Sequence, residues 1–130
     1  MKLIAYSAHS APSPAEKALN VLRIDNTTDP HTLALDGVQR IELHFPKFTD
    51  GRAYSQAFLL RRRLKFQGEI WATGDVLVDQ LIQMRRSGFD AAVLRADQSL
   101  SIAQAQLARF KDFYQGDATT PQPRFAREYA

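Results

Sequence analysis

The chain has no cysteine among its 130 residues, which removes disulfides, thiolate nucleophiles and thiolate ligation of metals or iron–sulfur clusters. Any redox chemistry would have to come from a bound cofactor or a partner. It also has little excess charge: 17 Lys and Arg stand against 14 Asp and Glu, a net +3. That falls short of the concentrated positive charge of a nucleic-acid binder, while suiting solubility and an anionic small ligand. No segment approaches the roughly 20 apolar residues of a membrane span. The apolar stretch near the N-terminus is broken and too short for a signal peptide, so the cytoplasm is the expected location. With six glycines, the chain carries neither a phosphate-binding loop nor a dinucleotide fingerprint, and no cofactor is identified. His9, His31 and His44 have no carboxylate at metal-ligand spacing, so no metal site is expected.

What is present fits one α/β domain. Apolar residues make up 45% of the chain, enough for one modest core. Residues 1–18, with Pro12 and Pro14, read as a flexible N-terminal arm, 19–115 as the domain, and 116–130 as an extended tail. Residues 20–24 form a short strand candidate. In the stretch 38–45, Ile41, Leu43 and Phe45 alternate with Arg40, Glu42 and His44, which predicts a strand with one buried face, near a sheet edge. Ala53, Ala57, Leu60 and Leu64 then recur at helical spacing over residues 50–65, with Thr49 or Asp50 as the cap. The consecutively apolar Ile70, Trp71 and Ala72 predict a strand covered on both faces. A second helix follows Gly74 and Asp75 and stops at Gly88, a strand covers 91–94, and Asp97 or Ser99 caps a third helix. Its stripe is Leu100, Ala103, Leu107, Phe110 and Tyr114.

Strands alternating with helices imply a mostly parallel sheet of repeated βα units, resembling a partial barrel or a small layered sheet. Three units cannot close an eight-stranded barrel, so an edge stays open unless a second copy covers it, and a homodimer is expected. In such sheets ligands bind beyond the carboxyl ends of the strands. Three loops supply candidates there: Lys47, Thr49, Asp50, Gly51, Arg52 and Ser55 from the first, Thr73 and Asp75 from the second, and Arg95, Asp97 and Ser99 from the third. They can hold a small oxyanion at the first turn of a helix, or the acidic and hydroxyl residues can simply cap helices. Asp75 and Asp79 fall on one helical face and are expected to pair with arginines of the first helix. The run Arg61, Arg62, Arg63 and Lys65 reads as a solvated face or a contact for an acidic partner.

The segments FPKFTDGRAYSQAFLLR, GEIWATGDVLVDQL, RSGFDAAVL and FYQGDA together resemble a family of small bacterial proteins, domain of unknown function 934, over residues 35–118. The positions carried over are Phe48, Asp50, Gly51, Arg52, Ser55, Arg61, Gly74, Asp79, Gln80, Gly88, Phe89 and Asp90. Members are commonly encoded beside the haem-containing sulfite or nitrite reductase subunit and are often named as oxidoreductases of sulfite reduction. The resemblance therefore implies an accessory protein of sulfate assimilation that binds the sulfite reductase, or holds a small oxyanion at the turn 50–55. In the second case Arg52 pairs with the anion and Asp79 orients the arginine. The alternatives are an oxidoreductase using a bound nucleotide cofactor and a structural dimer without activity.

Overall fold

The computed structural model describes residues 1–110. Its centre is a five-stranded sheet in the order β1-β5-β4-β3-β2, with every pairing parallel. The strands are β1 (Lys2–Ile4), β2 (Val21–Ile24), β3 (Arg40–Phe45), β4 (Glu69–Gly74) and β5 (Ala91–Val93). The expected α/β class and parallel sheet are observed, as an open layer. The tail 116–130, and Tyr114 of the third helical stripe, lie outside the described residues.

Helices α3 (Arg52–Arg62), α4 (Leu81–Arg86) and α5 (Leu100–Phe110) cover one face. Ile41, Leu43 and Phe45 of β3 pack there with Ala53, Ala57 and Leu60 of α3, Leu81 and Met84 of α4, and Ala103 of α5. All of these are 1% exposed or less. The alanines are small where helix meets sheet, and Ile41 pairs in register with Ile70 and Leu43 with Ala72. At the end of β4 the chain must turn sharply. Gly74 sits at φ +93°, and a Cβ there would lie 2.4 Å from the Phe45 carbonyl oxygen, so only glycine fits.

Two expectations need correction. The first residues are not simply an arm: Lys2, Leu3 and Ile4 pair with Ala91, Ala92 and Val93, and α1 (Tyr6–Ser10) and α2 (Pro14–Lys17) follow. A three-residue strand leaves almost no periodic signal, and its partner is far along the chain. Strand β3 does lie near a sheet edge, one strand in from β2, but it is not buried on one face alone. Its second face is covered as well, and Arg40 and Glu42, expected outward, are buried, while His44 is exposed. Above this second face lies α1, whose His9 reaches Glu42 and the Trp71 ring.

Candidate functional site at the carboxyl ends of the strands

Parallel strands end together, so the loops after β3, β4 and β5 meet at one rim. The loop after β3 turns tightly, with the Asp50 amide donating to the Lys47 carbonyl at 3.0 Å. Asp50 does not cap α3 by the usual reach to the second or third amide. Its Oδ1 instead accepts from the Arg52 amide at 3.0 Å and from Arg52 Nε at 3.1 Å, and its Oδ2 from Arg52 Nη2 and Asn26 Nδ2, each at 2.7 Å. The Arg52 side chain, then its amide, hold the Asp50 carboxyl down at about 2. Arg52 is raised in turn by the same partner. Gly51 occupies the cap position at φ −90° with nothing within 4 Å of an added Cβ, so the turn does not require glycine. Lys47, Thr49 and Ser55 are exposed around it.

The second and third loops are tied by one arginine. Arg95 Nη1 donates to Asp75 Oδ1 at 2.6 Å, while its Nε and Nη2 donate to Asp97 at 2.6 and 2.8 Å. The arginine lowers both carboxylates, Asp97 to about 2. Asp75 also reaches the first loop: its Oδ2 accepts from the Phe48 amide at 2.7 Å. Gln80 Nε2 donates to the Phe48 carbonyl. Both backbone polar groups of Phe48 are thus held, and the residue is left 47% exposed. Ser99 Oγ accepts from the Ile102 amide at 3.3 Å, the expected cap of α5.

Of the residues expected at this rim, Asp50, Arg52, Asp75, Gln80, Arg95 and Asp97 enter hydrogen-bond networks there. Three expectations change. Asp75 pairs with Arg95, not with an arginine of α3, because it lies in the turn after β4 and precedes α4. Asp79 is exposed in the 3-10 turn Val78–Gln80 and has no ion-pair partner among the described residues, so it does not orient Arg52. Arg61 belongs to neither the rim nor a solvated face. It sits at the opposite end of the sheet, donating to the carbonyls of Gly88, Phe66 and Gly68 at 3.1, 2.9 and 2.7 Å and pairing with Asp90.

Sequence reasoning missed Asn26 and Gln56, both buried. Gln56 Nε2 donates to the carbonyls of Asp25 and Thr28, each at 2.8 Å, fixing the loop that presents Asn26 to Asp50. It also missed the crevice between β1 and β5. The helix after β1 runs over one face and the helix after β5 over the other, which makes this the topological switch point where open sheets take ligands. Tyr6, Ser7, Leu94, Arg95, Gln98 and Leu100 line a cavity of about 210 Å³ there, below the ~300–1,000 Å³ of pockets that bury larger ligands. Its one cation, Arg95, is already committed to two aspartates. Among the described residues no three His, Asp or Glu side chains gather as a metal site, and no helix is long and apolar enough to cross a membrane.

Neither a curated protein nor a solved structure matches the chain. A family model does match, over residues 21–125, a stretch that includes the rim loops and the Arg61 anchorage. The chain belongs to DUF934, a family of bacterial proteins of unknown function.

Proposed function

We propose that the protein is an accessory of assimilatory sulfite reduction that docks onto the sulfite reductase subunit through the rim at the carboxyl ends of its strands. The partner is the one implied by the resemblance. One observation carries the docking mode: Phe48 is half exposed while its amide and carbonyl are both held, by Asp75 and Gln80. An aromatic ring presented on an ordered backbone loses little conformational freedom on binding, which is how dominant interface residues are built. The surrounding charges favour the same mode. Asp50 is paired with Arg52, and Asp75 and Asp97 share Arg95, so each of these carboxylates keeps a cationic partner on contact, with one negative charge in excess. An oxyanion at the turn 50–55 is the weaker reading, because Arg52 already gives Nε and Nη2 to Asp50.

Surface plasmon resonance with immobilised reductase subunit tests this. Wild type binds, and Phe48→Ala weakens the affinity by about 30-fold, equivalent to about 2 kcal/mol. In parallel, a deletion strain loses growth on sulfate and sulfite but keeps it on sulfide, and the Phe48→Ala gene restores growth poorly. Absence of binding by the wild type, or full growth of the deletion strain on all three sulfur sources, refutes the proposal.

A further inference from the structure

The sheet face turned away from α3, α4 and α5 is built around buried charge. Arg40 and Glu42 are 5% and 3% exposed, at neighbouring same-face positions of an interior strand. Burying two ions takes both out of water, and a hydrophobic pair would do as well or better for stability alone. The Glu42 carboxylate has three partners: His9 Nε2 at 2.9 Å, Arg23 Nε at 3.3 Å and Arg40 Nη1 at 3.4 Å. The guanidinium carbon of Arg40 lies over the Trp71 ring, 3.7 Å from its centroid, and the Arg40 Nε is buried with no hydrogen-bond partner among the described residues.

These side chains open onto a cavity of about 250 Å³ between α1, α2 and β2, lined also by Glu16 and Lys17. Lys17, Arg23 and Arg40 outnumber the two carboxylates. Arg23 pairs with Glu42 through its Nε at 3.3 Å, and its Nη groups make no hydrogen bond among the described residues. One buried carboxylate thus gathers two arginines and a histidine around itself without using up their donors. Such a set of N–H donors with surplus positive charge suits an oxygen-rich anion. The volume is too small to bury a nucleotide.

We propose that this cavity binds a small oxyanion of the sulfate, sulfite or phosphate class. Arg23 and Lys17 contact the anion, and Glu42 is the positioning residue that holds Arg23, Arg40 and His9 around it. The site is on a different surface from the Phe48 rim and stands independently of the docking role. Because three elements supply the cations, residues 1–20, outside the matched stretch 21–125, complete it.

Trp71 is the only tryptophan in the chain and lies under Arg40, so its fluorescence reports on this cavity. The full chain is titrated at constant ionic strength with sulfate, sulfite and phosphate, with chloride as reference. A saturable change is expected for at least one oxyanion at about millimolar concentration or below. Arg23→Gln, at a 67% exposed side chain and so compatible with folding, weakens it at least about tenfold. Arg63→Gln, an exposed arginine beyond α3 on the opposite face, leaves it unchanged. The proposal is overturned if no oxyanion produces a saturable change beyond that of chloride. It also fails if Arg23→Gln binds as wild type does, or if Arg63→Gln weakens binding equally.

Discussion

Replacing Arg61 with alanine should cost far more stability than neutralising its carboxylate partner, Asp90. The side chain is 9% exposed and its guanidinium serves four acceptors: the carbonyls of Gly88, Phe66 and Gly68, and the Asp90 carboxylate. Hydrogen bonds to a charged group are each worth about 1.5–3 kcal/mol, but they share one cation and do not add. The Asp90 side chain is 43% exposed, so solvent screens the ion pair and limits its share to about 1 kcal/mol. The three carbonyls then dominate, and water entering past Asp90 recovers part of their loss. The expected cost is about 3–4 kcal/mol, a large part of the ~5–15 kcal/mol that holds a domain folded. Urea unfolding followed by circular dichroism measures it. Asp90→Asn keeps an acceptor for the Ile70 amide, now bonded at 2.8 Å, and should cost only about 1 kcal/mol. If Arg61→Ala costs less than about 1 kcal/mol, or no more than Asp90→Asn, the carbonyls do not depend on the arginine and the reasoning is wrong.

Two further outcomes follow from the same geometry. The Tyr54 hydroxyl is buried without a partner among the described residues, and burial pushes its pKa up to about 12, so Tyr54→Phe should raise stability by about 1 kcal/mol and Tm by about 3 °C, seen by scanning calorimetry; a lower Tm would mean that the hydroxyl has a partner in solution. Asp50 and Asp97 are depressed from 3.8 to about 2, so their contribution to stability is present above pH 4 and is lost as the pH falls toward 2. Carboxyl NMR titration should find both aspartates ionised at pH 3, and Asp97→Asn should flatten the stability profile between pH 4 and pH 2.

Much of the architecture was legible because long elements carry their period with them. The alternation at residues 41–45 and the helical stripe of Ala53, Ala57 and Leu60 both correspond to buried faces. The convergence of three loops also followed from parallel strands ending together. What escaped depends on neighbours supplied from elsewhere in the chain. Arg40 and Glu42 alternate like solvent-facing residues, and only the placement of β3 between β2 and β4, under α1, encloses them. The basic run at 61–63 does not announce which arginine turns inward, although Arg61 is one helical turn from Ala57. At the rim, the residue types were right and the pairings were not: Asp75 found Arg95 because the loops after β4 and β5 are adjacent in space.

The position of β1 has a consequence for how the protein comes to be folded. In the sheet the first strand joins only the last, Lys2 facing Ala91, so during synthesis β1 has no neighbour until nearly the whole described chain has followed it. Contacts of such long sequence separation form slowly, since the intervening loop must close first. Strands β2, β3 and β4 can assemble in order during synthesis, leaving the open side of β4 as a temporary edge. A bulky fusion at the amino end would weigh on this final step, whereas the order of the earlier strands would be untouched.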